Sequence, residues 1–188
     1  MLSDSNKLLL LSIARKNIIA AVNGHDIKDA LKDQKLPDAL YQDGAVFVTL
    51  SENGILRGCI GSLEAYRSLL DDVLANSYNA AFEDSRFAKV VKGEMKDVEI
   101  EISLLSKRQI VDYYTFNDLK KKIKPKVHGV YLTYASHRAT FLPQVWDELV
   151  SHEVFFVHLA QKAGLAPDFI FNNHPKIEVY TVEKFKEE

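Results

Sequence analysis

The sequence predicts a mixed α/β fold of the α+β kind, with a mainly antiparallel sheet flanked by helices. Three observations predict it. Val98, Ile100, Ile102 and Leu104 alternate with Glu99, Glu101 and Ser103, the period of a strand with one buried face. Glu52-Asn53-Gly54 separates two short apolar runs, and Asn-Gly tolerates the positive φ that tight hairpins need. Apolar residues at helical spacing lie around these strands, as at Leu69, Leu70, Val73, Leu74, Tyr78, Ala81 and Phe82. Helices interleaved with hairpins argue against a purely parallel, doubly wound sheet. The 188 residues suit one domain or two small lobes sharing a core.

The elements follow in order. Residues 6–22 read as a helix capped by Ser5 and ended by Gly24; Leu8, Leu11, Ile18, Ala21 and Val22 keep helical spacing. Leu9, Leu10, Ile13, Ile19 and Ala20 widen its apolar face, so more than one neighbour must cover it. Ala45–Leu50 and Ile55–Ile60 are the arms of the hairpin. Ser68 opens the next helix, with Asp71 in a capping-box-like position, and that helix ends near Glu83-Asp84-Ser85-Arg86-Phe87. Val98–Leu104 is a strand, and Asn117–Ile123 a short helix stopped by Pro125. Val127–Tyr134 and Arg138–Leu142 pair as strands. Pro143 opens a helix through Leu149. Ser151 caps another that runs to Ala163 and ends at Gly164, and Ile177–Val182 is the final strand.

Composition excludes several classes. A chain of this size buries roughly 70% of its unfolded surface and needs no disulfide or metal to fold. Its single cysteine cannot form an internal disulfide, and no Cys/His cluster has zinc spacing. A net charge of −2 exerts no general pull on nucleic acid. The one basic cluster, Lys120-Lys121-Lys122 with Lys124 and Lys126, reads as a solvated helix end and loop or as a nucleic-acid or anionic-lipid patch. Asp4 precedes the first apolar run and Arg15 interrupts it, which fits neither a signal peptide nor a membrane span. A free thiol without an export signal places the expected location in the cytoplasm.

Leu56-Arg57-Gly58-Cys59-Ile60-Gly61 carries the most chemistry. Strand alternation points Arg57 and Cys59 the same way, with side-chain bases about 7 Å apart. Gly58 and Gly61 leave the backbone bare for a close approach. Cys59 reads either as a nucleophile favoured by the nearby cation or as a small packed residue. Arg57 reads either as a clamp on a carboxylate or phosphate or as an internal ion pair with Glu101, Glu83 or Asp84. Glu83, Asp84 and Arg86, where a helix ends, read as capping with a surface ion pair or as a pocket wall. His128, beside Gly129 at a strand start, reads as a base or as a structural imidazole. His152 and His158 are separated by six residues and miss the four-residue gap of a zinc-protease helix. No nucleophile elbow, phosphate loop or paired C-x-x-C occurs, and no cofactor is implied. Gly58-x-x-Gly61 echoes an RNA-binding loop, but it lies in a strand rather than between helices.

Taken together, these segments resemble the AMMECR-type domain family, also called protein A of the AmmeMemoRadiSam system. Leu56-Arg57-Gly58-Cys59-Ile60-Gly61 matches its hallmark, and Asp84-Ser85-Arg86-Phe87 resembles its Asp-Pro-Arg-Phe. Glu101-Ile102-Ser103 with Leu105, His128-Gly129-Val130, Leu142-Pro143-Gln144-Val145 and Lys162-Ala163-Gly164-Leu165 follow in the family's order. The resemblance covers nearly the whole chain. It implies one domain over residues 1–188 built of two intertwined lobes, larger and smaller, with a cleft lined by the hallmark segment. It also implies Memo-like and radical SAM proteins as partners, and no particular reaction. Ser85 replaces the usual proline, which loosens that turn. Ala160-Gln161 stands where members often carry a second cysteine, so a two-cysteine mechanism does not fit this chain. Phe169 stands near a common tryptophan.

Two functions of different class follow. In the first, the chain is a binding or adaptor module. Arg57 and Arg86 hold an anionic group of a small molecule or partner, Gly58 and Gly61 permit its approach, and Glu83, Glu101 and Gln144 complete the site. In the second, Cys59 is the nucleophile of an enzyme, with His128 as base and Arg57 stabilising negative charge. The binding module is the favoured reading. A nucleic-acid role, resting on the lysine cluster alone, ranks third.

Overall fold

The computed structural model of the protein describes residues 2–27, 31 and 34–187. The chain divides into two compact units, Met1–Leu105 with Glu183–Glu188, and Ser106–Val182. The first unit contains α1 (Asp4–Val22), β1 (Ala45–Glu52), β2 (Ile55–Gly61), α2 (Leu69–Phe82) and β3 (Val98–Leu105). The second contains β4 (Gln109–Ile110), α3 (Phe116–Lys122), β5 (Gly129–Tyr134), β6 (His137–Phe141), α4 (His152–Lys162), α5 (Phe169–Asn172) and β7 (Lys176–Tyr180). The last strand, β8 (Val182–Lys186), returns to the first unit. The strands form two four-stranded sheets, ordered β2-β1-β3-β8 and β4-β7-β5-β6, in which β1 pairs antiparallel with β2 and β3, β7 with β4 and β5, and β5 with β6.

In the first unit, Val46, Val48 and Leu50 of β1 and Ile100 and Ile102 of β3 point to one face of the sheet and are fully buried. Leu10, Ile13, Ala14 and Ile18 of α1 and Val73, Ala80 and Ala81 of α2 belong to the same core. Leu8 and Ile19, expected on the apolar face of α1, are exposed instead, because Leu10, Leu11, Ile13, Ala14 and Ile18 take the covered side. Ser3, not Ser5, caps α1: its Oγ accepts the Asn6 amide at 3.2 Å, so the helix begins earlier than expected. Ser68 caps α2 as its spacing predicts, accepting the Asp71 amide at 3.1 Å.

One face of α2 carries a buried polar cluster. The Asp72 carboxylate, fully buried, accepts hydrogen bonds from the Val46 amide, Ser62 Oγ and Arg67 Nε at 2.6–2.8 Å. One turn on, Asn76 Nδ2 donates to Val46 O and Ser62 Oγ. This pins the first residues of β1 to α2 and satisfies the buried charge.

In the second unit, Val130, Leu132, Ala139 and Ile177 meet Phe155, Phe156 and Leu159 of α4. Trp146 stacks on Phe155, with ring centroids 3.6 Å apart. Pro143 opens only a 3-10 turn, Pro143–Asp147, rather than a helix to Leu149. Its last turn places Trp146 so that the indole N–H donates to His128 O at 2.9 Å. The final strand expected from the sequence is broken at Thr181. Its amide donates to Ser106 Oγ at 2.9 Å, and the chain resumes as β8 in the other sheet.

Candidate functional site

The hallmark segment is β2, an edge strand of the first sheet. The Asn53-Gly54 turn has the positive φ values (52° and 78°) expected of it. Glu52 therefore faces Ile55 and Ser51 faces Leu56, but Leu50 faces Gly58, so Arg57 is an extra residue in a β-bulge. The bulge decides the site. Without it Cys59 would lie opposite the fully buried Val48; with it Cys59 lies opposite Thr49, on the face away from α1 and α2. Thr49 Oγ1 donates to Cys59 Sγ at 3.4 Å. Glu101 faces Thr49 from β3 and pairs with Lys184 at 3.5 Å, so it is not a partner of Arg57.

The bulge also breaks the alternation that was to set Arg57 beside Cys59. Arg57 instead lies along Glu94, with Nε and Nη2 each 3.2 Å from a carboxylate oxygen. Glu94, in the turn before β3, was not among the expected partners. Burial pushes the Glu94 carboxyl upward, but the Arg57 hydrogen bonds, the Val91 amide and the Arg57 charge outweigh it and hold the group below its ordinary value. Arg57 Nη1 is enclosed and, among the described residues, is the one buried side-chain nitrogen or oxygen without a hydrogen-bond partner.

Arg86, rather than Arg57, is the cation documented beside the cysteine. Its Nη2 donates to Cys59 O at 3.1 Å and to Asp84 Oδ2 at 2.7 Å, and its Nε donates to Asp84 Oδ1 at 2.9 Å. Asp84 Oδ2 also accepts the Cys59 amide at 2.9 Å. The aspartate and arginine thus occupy the two outward backbone groups of Cys59, which an edge strand otherwise leaves open. The Arg86 hydrogen bonds, joined by both backbone amides and the Arg86 charge, hold the Asp84 carboxyl far below the usual carboxylate range despite its burial. Asp84 is enclosed, whereas the Arg86 side chain keeps 56% of its surface exposed. Nε and both Nη2 hydrogens are engaged, and among the described residues Nη1 is left for a further acceptor.

Both hallmark glycines are required by the chain itself. A Cβ on Gly58 would sit 2.1 Å from Ala80 O of α2, and one on Gly61 would sit 2.3 Å from the Phe47 ring. The close approaches expected there are made by α2 and by Phe47. Glu83 is exposed and lies 3.8 Å from Lys89.

His128 and Gln144 belong to the second unit. Gln144 is exposed in the Pro143–Asp147 turn. His128 Nδ1 accepts the Lys124 amide at 3.2 Å, which leaves the proton on Nε2. Burial, with the Lys124 charge, moves this imidazole below its ordinary value, so it is neutral at pH 7. Of the lysine cluster, Lys120 pairs with Glu153, Lys122 with Asp118 at 3.1 Å and Lys126 with Asp147 at 2.9 Å. Those pairs blunt the basic patch. Among the described residues no three His, Cys, Asp or Glu side chains come together to hold a metal ion, and no helix is long and apolar enough to cross a membrane.

Two antiparallel α/β units, one with a glycine-bearing bulged edge strand clamped by an aspartate–arginine pair, define the class. The chain belongs to the AMMECR1 family, whose sequence profile matches residues 11–185. A protein of Methanothermobacter thermautotrophicus is 31% identical over 100% of this chain and 97% of its own length. A protein of Sulfurisphaera tokodaii is 37% identical over 94% of this chain and 78% of its own. The crystal structure of uncharacterized protein PH0010 from Pyrococcus horikoshii superposes with a TM-score of 0.78 at 28% identity, covering 96% of this chain and 90% of that one.

Proposed function

We propose that this chain is a binding module that presents Arg86 to an anionic group, a carboxylate or phosphate, of a small molecule or partner protein. The observation that supports this reading is the half-exposed guanidinium held on one edge by Asp84 and the Cys59 carbonyl. A guanidinium fixed in this way loses little side-chain entropy when an oxyanion accepts from its remaining Nη1 hydrogens. The expected arrangement is thereby revised, since Arg86 leads and Arg57 supports β2 through Glu94. Memo-like and radical SAM proteins, the partners that the resemblance implies, are the first to offer. The test is a pull-down and ligand screen with Arg86→Ala, Arg86→Lys and Arg57→Ala. The reading expects Arg86→Ala to abolish capture and Arg86→Lys to weaken it, because an ammonium cannot keep the fork on Asp84 and present a further oriented donor. Capture unchanged in Arg86→Ala, with the fold intact, refutes it.

The cysteine-dependent enzyme remains the competing proposal. In its favour, Cys59 is only partly covered and receives a Thr49 hydrogen bond near the Arg86 charge. It requires the thiol to react with a mild alkylating probe at neutral pH faster than a free thiol does. It also requires His128→Ala to slow that reaction. An inert thiol removes it.

A further inference from the structure

A cavity of about 560 Å3 lies in the first unit between the C-terminal half of α1 and the outer side of α2, and its volume is in the range of small-molecule sites. None of its lining residues belongs to β2 or to the Asp84–Arg86 clamp. Ala21, Ile27, Leu74, Ala75 and the Tyr78 ring supply an apolar wall. Asn17 lines it as well, although the residue is 92% buried by virtue of its 8% exposure.

Asn17 is the informative group. Its Nδ2 donates to Leu74 O at 2.7 Å and to Ser77 Oγ at 2.9 Å, so both amide hydrogens are used and the orientation of the amide is fixed. Its Oδ1 accepts no hydrogen bond from the described residues. Arg57 Nη1 is the one enclosed side-chain atom lacking a partner among those residues, so Asn17 Oδ1 is not enclosed and opens into the cavity that the residue lines. A buried, oriented acceptor at the end of an apolar slot calls for a donor.

The charges give the donor its sign. Asp71 lines the cavity and is acidic. Arg67, the basic residue on its wall, is matched by the fully buried Asp72 at 2.7 Å. His25 completes the polar lining. We propose that this cavity binds a small amphipathic organic cation, an aromatic or aliphatic stem ending in a primary ammonium. The ammonium donates to Asn17 Oδ1, the stem lies along Leu74, Ala75 and Tyr78, and the Asp71 carboxylate favours positive charge over neutral or negative. The site is independent of the Arg86 surface, whose chemistry is the opposite.

The test uses a series of equal shape: tyramine, its neutral alcohol analogue tyrosol, and 4-hydroxyphenylacetate. Each is titrated into the full chain and followed by amide NMR. Tyramine is expected to move resonances of residues 17–27 and 71–79, the segments that line the cavity. Tyrosol is expected to bind about fivefold more weakly and the anion more weakly still, as one screened charge near a carboxylate implies. Asp71→Asn narrows the gap between tyramine and tyrosol, and Ala75→Met fills the slot and removes binding of both. Should Ala75→Met not fold, Asp71→Asn carries the test, because it removes the rim charge while the asparagine oxygen still accepts from Ser68 Oγ at the helix cap. The proposal is overturned if the anion binds as well as tyramine, if the shifts map elsewhere, if none of the three binds at millimolar concentration, or if Asp71→Asn leaves the discrimination unchanged.

Discussion

Gly58→Ala tests the packing that sets the hallmark strand in place. The added Cβ would lie 2.1 Å from Ala80 O and 3.1 Å from Ala80 C, both backbone atoms of α2. Ordinary contact begins near 3.4 Å, so β2 and the helix must separate by about 1 Å or the bulge must rearrange. Overpacking of this kind costs about 1–3 kcal/mol. The lower entropy of an unfolded chain with alanine returns about 0.4–1 kcal/mol of that. The net loss is about 1–2 kcal/mol, which for a chain of this length lowers the melting temperature by about 2–8 °C. Gly93→Ala is the control: a Cβ there meets nothing within 4 Å and φ is not positive, so that variant should melt at or slightly above the parent temperature. The chain carries its own reporters, because its one cysteine lies in the first unit and its one tryptophan, Trp146, in the second. Pulsed thiol labelling of Cys59 during a thermal ramp should show the shift, and Trp146 fluorescence should report the second unit separately. If Cys59 becomes reactive at the same temperature in Gly58→Ala, Gly93→Ala and the parent, the close contact does not exist and the register argument fails with it.

Asp84→Asn sets an amide NH2 against donors that the carboxylate now accepts, and should cost about 1–3 kcal/mol at pH 7, discounted because Arg86 is half exposed. Because the folded Asp84 carboxyl lies below its unfolded value, its contribution is complete above about pH 4 and fades as pH falls through the folded value. Parent and variant should therefore converge in acid denaturation curves, and a constant gap contradicts the assignment. His128 runs in the same direction for a different reason: its folded value is depressed, so the unfolded chain takes up a proton first and stability drops as pH falls from about 6.5 through the folded value. His128→Asn should flatten that portion of the profile, read by Trp146 fluorescence. Glu187→Gln weakens the bidentate contact with Arg15 and the bond to the Ile100 amide at 3.0 Å, and should cost about 1–3 kcal/mol. Unaltered hydrogen exchange at Ile100 would count against a role for Glu187 in holding β8.

The elements most legible in the sequence are those specified by neighbours in the chain. The Asn53-Gly54 turn, the Ser68 cap, the alternation of Val98–Leu104 and the positive-φ Gly164 depend on residues within a few positions of one another. The candidate site was legible as a segment but not as an arrangement. Counting back from the turn pairs Cys59 with Val48, and only a bulge, which sets Gly58 against Ala80 of α2, moves it opposite Thr49. Arg57–Glu94 and Asp84–Cys59 join residues 37 and 25 positions apart, beyond any local pattern. One cue was available for the second: an Asp-x-Arg stretch directly after a helix is placed to reach a neighbouring edge. The break at Thr181 had no local sign, because its cause is the hydroxyl of Ser106, 75 residues away.

The return of β8 to the first sheet has a consequence for biosynthesis. Chain leaving the ribosome delivers three strands and both long helices of the first unit by Leu105, yet the outer edge of β3 has no companion until residues 182–186 emerge. All of the second unit must be translated in the interval. During that wait β3 is an open template for a neighbouring nascent chain, and completion of the first sheet is governed by a segment made only after the second unit.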